Sequence, residues 1–230
     1  MNFQCFLYLS HTKLSIAVYD KSTSNKIYSN ESPSNSFNQE INFSEIEKFL
    51  ENNILEIEKI IETFVNEVFV IIEYNNQLPI KISLKTQNYE QENLEKKIQY
   101  LLNEAKFQIE KTYINKFISH ILIKKYIFDN QIYYDFKKDL ECDYFFVEFE
   151  FICFSNKILS RLEEILKKHQ ISVKRFLCAN YIKTFFKKGN NDIFQMAINI
   201  LDGSNKNEVV LVKKKRKTEG FFEKFFHFFN

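Results

Sequence analysis

The chain holds three glycines in 230 residues, and this scarcity narrows what it can fold into more than any motif it carries. A loop that wraps a phosphate brings successive backbone N–H groups against the ligand, in conformations and at distances that favour glycine. Gly189, Gly203 and Gly220 stand singly. Neither a Walker loop nor a G-x-G-x-x-G turn is present, and a G-x-S-x-G nucleophile elbow is missing too. Cys5, Cys142, Cys153 and Cys178 form no Cys-x-x-Cys pair, and the four histidines are scattered. That spacing suggests neither a zinc site nor a disulfide framework, and four unpaired thiols suit a reducing cytoplasm. Glu148 and Glu150 share one face of a strand, where a carboxylate pair could exchange protons. Alternating acids more simply mark the solvent side of a half-buried strand. The expectation is a protein that is not an enzyme and holds no cofactor or metal.

Hydrophobic periodicity divides the chain. Residues 3 to 9 and 13 to 19 are β-rich runs around Ser10-His11-Thr12, a hairpin. Residues 21 to 42 suggest a strand remnant and a loop. Ser44 opens a helix, with Glu47 completing a capping box, and Ile46, Phe49, Leu50, Ile57, Ile60, Ile61, Phe64 and Val65 keep the 3.6 period. Val68 to Ile72 follows as a buried strand. From Pro79 a second unit begins: a strand with Ile80, Ile82 and Leu84, then a helix from Leu94 to Ile109. Long strands follow over 117–128 and 145–153, and Ser155 caps a helix carrying Ile158, Leu159, Leu162, Ile165 and Leu166. Ile171 to Cys178 is a strand, Asn180 to Phe186 a short helix, and Asp192 to Leu201 a last helix stopped at Gly203. The fold class is α+β with an inserted β-α-β-β-α unit.

With 45% hydrophobic residues, the chain can bury a sizeable core. Lys206 to Asn230 carries seven bases against three acids, which leaves 25 bases and 27 acids in residues 1–205. The basic excess therefore belongs to the tail. Lys213, Lys214, Lys215, Arg216 and Lys217 precede a segment with six phenylalanines. Wound at about 100° per residue, Phe221, Phe222, Phe225, Phe226, Phe228 and Phe229 fall within one arc, with Glu223, Lys224, His227 and Asn230 in the rest. This is the composition of a helix lying in a membrane interface, rings at the acyl boundary and bases on anionic head groups. Such a stripe could also dock on the protein's own core, and a Lys/Arg run could meet nucleic acid. The terminal position argues against the first. The separation of rings from charges argues against the second. The membrane-binding set is thus Lys213 to Lys217 with Phe221, Phe222, Phe225, Phe226 and Phe229, joined to the body by a linker over 204–219. No run of about 18 uncharged apolar residues or signal peptide is expected.

The order of elements and the tail together resemble FtsA, the actin-like bacterial protein that tethers the cell-division ring to the membrane. The family's first strand and turn match Tyr8-Leu9-Ser10-His11-Thr12-Lys13, and its next helix and strand match Ile46 to Ile72. Its inserted subdomain of the SHS2 type matches about Ile80 to Gln170, including Glu148-Phe149-Glu150-Phe151-Ile152 and the helix Lys157 to His169. Ile171 to Phe176 resembles the return into the first subdomain, and Lys213 to Asn230 its membrane-targeting sequence. The chain departs from the family at Ser10, where it has a glycine, and at Tyr8, where it has an acid. The second phosphate motif and the half of the fold that docks the ring protein FtsZ have no counterpart. ATP binding and direct FtsZ contact are therefore not carried over.

The resemblance implies a partial actin-like, ribonuclease H-like subdomain over 1–79 and 171–203. It implies an SHS2-like subdomain over 80–170 and a membrane-targeting helix over 220–230. It further implies a peripheral adaptor of the divisome at the cytoplasmic face of the bacterial inner membrane, with anionic lipids and division proteins as partners, self-association among its options, and no nucleic acid. A scaffold of a pilus or secretion apparatus is the alternative.

Overall fold

The computed structural model describes residues 3–34, 41–74, 77–87, 93–137, 140–186 and 192–210. The first sheet is built from β1 (Phe3–Ser10), β2 (Lys13–Asp20), β3 (Lys26–Pro33), β4 (Glu67–Glu73) and β9 (Ser172–Cys178), in the order β3-β2-β1-β4-β9. The first three are antiparallel neighbours, while β4 runs parallel to β1 and β9 parallel to β4. A three-strand meander continued by parallel crossovers is the ribonuclease H-like arrangement of an actin-type subdomain. The central strands read as unbroken apolar runs, with every residue from Cys5 to Ser10 buried, because a sheet with parallel strands is covered by helices on both faces.

Four helices provide that cover. α1 (Phe43–Ile61) packs on β2 and β3, α3 (Asn156–Lys168) on β9 and on α1, and α4 (Ala179–Phe185) and α5 (Ile193–Leu201) on each other, α4 also against β4 and β9. Phe194 of α5 lies against Phe6, Tyr8 and Tyr19, and Phe6 stacks on Phe69 with ring centroids 5.1 Å apart. Asn42, two residues before the expected cap, accepts the Glu45 N–H and starts α1. Asn53, buried in that helix, accepts from the Tyr28 hydroxyl and from the Asn30 amide, each at 2.7 Å. β3 thereby becomes a full strand instead of a remnant.

The inserted unit comprises β5 (Leu78–Gln87), α2 (Leu94–Thr112), β6 (Lys116–Phe128), β7 (Gln131–Tyr133) and β8 (Tyr144–Ser155). Its antiparallel sheet has the order β5-β8-β6-β7. Phe145, Val147, Phe149 and Phe151 are fully buried from alternate positions of β8, and Leu101, Leu102, Ala105 and Ile109 of α2 close over the same core. On the outer face, Glu148 and Glu150 pair with Lys125 and Lys124 at 3.0 and 3.2 Å. These are the solvent-side ion pairs expected of alternating acids.

Two boundaries differ from the sequence expectation. The helix at 157–169 was expected to end the inserted unit at 170, yet Leu159, Leu162, Ile165 and Leu166 of α3 are buried in the first core, with the α1 residues. Its stripe specified a buried face without specifying the partner. The linker expected over 204–219 also begins later. Residues 207–209 lie along the free edge of β6, with Ile123 N–H donating to Asn207 O and Val209 N–H to Ile121 O, both at 2.8 Å.

Because the two cores are separate clusters, Phe6→Ala and Phe151→Ala are expected to cost about 3–5 kcal/mol each. The double variant should equal their sum within about 0.5 kcal/mol. Urea unfolding of the three variants checks both statements.

Candidate functional site

The joint between the two sheets is the most heavily built polar region of the described chain. β9 is the edge of the first sheet, so its outward backbone groups need partners or water. Two consecutive side chains of β6 supply them. Ser119 Oγ donates to Phe176 O at 2.7 Å, and His120 Nε2 accepts the Cys178 N–H at 2.9 Å. That second bond leaves the ring proton on Nδ1, which faces Glu208 Oε1 at 2.7 Å. Arg175 Nη2 donates to the same oxygen at 2.5 Å, the Tyr181 hydroxyl to Oε2 at 2.8 Å, and the Asn205 amide to the Tyr181 hydroxyl at 2.8 Å. The side chains of His120 and Glu208 are 0% and 3% exposed.

Burial pulls the His120 pKa below its ordinary 6.5, against an opposing pull from Glu208. Burial pushes Glu208 upward, but hydrogen bonds from His120 and Tyr181 and the Arg175 charge more than offset it and hold the carboxyl below its ordinary value. The group is therefore a neutral imidazole between a backbone donor and an ionised, triply paired carboxylate. With Nε2 committed to Cys178, the imidazole has no lone pair to offer a substrate, and burial raises the Cys178 thiol pKa. The arrangement is suited to holding two sheets together.

Beside this joint lies a cleft of about 410 Å³ between the outer face of the inserted sheet, α4 and the C-terminal segment. Leu122, Ile152 and Phe185 give it apolar walls, and Lys124, Glu150 and Asn207 give it polar ones. Its length and mixed chemistry suit a segment of polypeptide.

A second region sits at the carboxyl ends of β1 and β4, the place where open α/β sheets bind ligands. Here side chains occupy it. Ser10 Oγ accepts from Lys13 N–H at 3.0 Å and donates to Lys13 O at 2.9 Å, closing the β1–β2 turn without glycine. Tyr74 donates to Ser10 O at 3.1 Å, Tyr8 bonds Glu73, and Lys183 pairs with Glu73. Burial, then Glu73, raises the Tyr8 pKa.

The expected membrane-binding residues, Lys213 to Lys217 with Phe221, Phe222, Phe225, Phe226 and Phe229, lie outside the described residues. No described helix is long and apolar enough to cross a membrane. The joint itself was missed. His120 is one of several polar residues of β6, beside Ser119, Lys124 and Lys125, and the signal at Glu208 was the β-rich run Glu208-Val209-Val210 inside a supposed linker.

No protein-family model matches the chain, and no curated protein sequence matches it. Solved structures similar to it include the following three. One is the PilM–PilN type IV pilus biogenesis complex, at 7% identity over 79% of this chain and 49% of that one, with a TM-score of 0.49. Another is the cytoplasmic domain of EpsL, an inner-membrane component of the type II secretion system of Vibrio cholerae, at 11% identity over 78% and 57%, with a TM-score of 0.39. The third is a Bacteroides thetaiotaomicron protein with an actin-like ATPase fold and unknown function, at 12% identity over 81% and 56%, with a TM-score of 0.34. This chain spans about half the length of the solved chains it matches, 49% to 57%.

Removing the Glu208 carboxylate leaves Arg175 and His120 facing an empty acceptor, so Glu208→Ala should cost about 3–5 kcal/mol. A chain ending at Gly203 should lose at least as much, whereas one ending at Val210 should still unfold cooperatively. Urea unfolding of the three chains tests this. Acid should also weaken the joint. The unfolded state takes up a proton on His120 below pH 6.5 that the folded state refuses, so this contribution is complete above 6.5 and lost as pH falls through the lower folded value. The slope is at most about 1.4 kcal/mol per pH unit. His120→Gln, which keeps both bonds but cannot titrate, should flatten the difference in stability between pH 7.5 and pH 5.5.

Proposed function

We propose that the chain is a non-enzymatic adaptor at the cytoplasmic face of the bacterial inner membrane, working as a scaffold of a pilus or secretion apparatus. It would hold a segment of a partner protein in the cleft between its inserted sheet and α4. The observation that carries this reading is the cleft at the joint. Its walls come from the inserted sheet, from α4 and from the C-terminal segment, and the joint beneath it is fixed by the Glu208 network, so the receptor is preformed. The end of the first sheet where an actin-type fold would take nucleotide is filled by Tyr8, Tyr74 and Lys183, which supports an assembly that works without ATP.

A second reading, the division tether, is supported by the tail. Lys213 to Lys217 and the phenylalanine arc have the composition of an anionic-lipid anchor. Both readings place the protein at a membrane and differ in the partner.

A photoreactive residue at Thr184, on the cleft, should cross-link in cells to an inner-membrane protein of a pilus or secretion apparatus. The same probe at Gln99, exposed on α2, should not. Capture of division proteins at Thr184 would move the assignment to the second reading, and identical products at both positions would overturn the cleft as the working surface. Calorimetric titration with Mg-ATP should be flat, and saturable binding at micromolar concentration would refute the nucleotide-free part.

A further inference from the structure

α1 uses one face on the first core and leaves Leu55 on another, 66% exposed, while Phe64, just after the helix, is 73% exposed. They flank a groove of about 530 Å³ floored by Ile54 and Val65 and closed on its far side by the end of α3. Two left-handed residues, Glu62 at φ 54° and Gln170 at φ 61°, turn the chain on either side of it. Glu51 and Glu58 line it, Glu58 also accepting the Val65 N–H at 3.0 Å, and of its two basic residues, Lys168 and His169, the lysine is paired with Glu47. α1 and the residue after it hold six glutamates against Lys48 and Lys59. An apolar groove with acidic walls calls for a ligand that is basic and apolar together.

We propose that, away from lipid, the basic, phenylalanine-rich tail of the same chain, residues 213–230, docks in this groove and keeps its rings from water. The tail matches the groove in both respects: five adjacent bases for the acidic rim and an aromatic arc for Ile54, Leu55, Phe64 and Val65. An anionic lipid surface fits less well, because the rim repels it. Reach is sufficient. Val209 is fixed on β6 opposite Ile121, close to where Ser119 bonds Phe176. From Phe176, β9 runs back about 13 Å to Ser172, whose N–H bonds Asn66 O at the groove. Residues 210–217, if extended, cover up to roughly 26 Å, enough to bring the distal bases of the cluster to the rim. The inference deepens the adaptor reading by making the anchor self-masked: groove and membrane compete for one amphipathic segment, so binding to vesicles selects the undocked fraction.

The test uses the full chain at low concentration. Zero-length carbodiimide coupling of lipid-free protein should join Glu51 or Glu58 to Lys213–Lys217. In a mixture of isotopically light and heavy protein these links should be within single chains, and anionic vesicles should suppress them. The double variant Leu55→Glu/Phe64→Glu alters exposed positions, so circular dichroism should show an unchanged fold. It should lose the links and bind vesicles more tightly, by about tenfold if the tail is docked about nine-tenths of the time. Links to the groove with no vesicle binding would uphold docking and refute the membrane reading alone. Absence of tail-to-groove links, links only between light and heavy chains, or unchanged vesicle affinity in the double variant would each overturn the proposal.

Discussion

The capping of the β9 edge by Ser119 and His120 is the contact on which the rest of the molecule depends. An unpaired sheet edge is either hydrated, covered or available to another chain. Here two neighbouring side chains of an inserted sheet satisfy a carbonyl and an N–H on that edge, so the insertion is bonded into the first sheet as well as packed on it. Leu122, Ile152 and Phe154 extend the bond by packing into the first core, because these residues of β6 and β8 are buried with that cluster. A neutral imidazole suits the place. It accepts from one side and donates to the other, whereas an imidazolium would lose its acceptor and charge a fully buried site.

Glu208 completes this joint from far along the chain, and that gives the C-terminal segment two roles. Its backbone adds to β6, its carboxylate settles Arg175, His120 and Tyr181, and Asn205 and Asn207 line the cleft beside it. The segment that leads toward the tail therefore also forms a wall of the candidate partner site.

The first sheet keeps the strand order of an actin-type subdomain while the turn after β1 is closed by a serine hydroxyl. Ser10 returns the chain by bonding Lys13 in both directions, a job that in a phosphate loop falls to backbone N–H groups turned outward. Tyr8 and Tyr74 then fill the space beyond.

The periodicity of the chain determined most of its elements and the side each one buries. Phe145, Val147, Phe149 and Phe151 fall on one side of β8 because strands alternate with period two. Ile46, Phe49, Leu50 and Ile57 fall on one side of α1 because helices repeat every 3.6 residues. The acidic alternation at Glu148 and Glu150 was equally legible as a solvent face. Only the tertiary structure decided which core received α3, since a stripe such as Leu159, Leu162, Ile165 and Leu166 records that a face is buried and is silent about its partner. It alone brought His120 to Glu208, 88 residues away, and bridged part of a charged linker to β6. Pairings of that kind rest on distances across the fold, which no local pattern of residue types encodes.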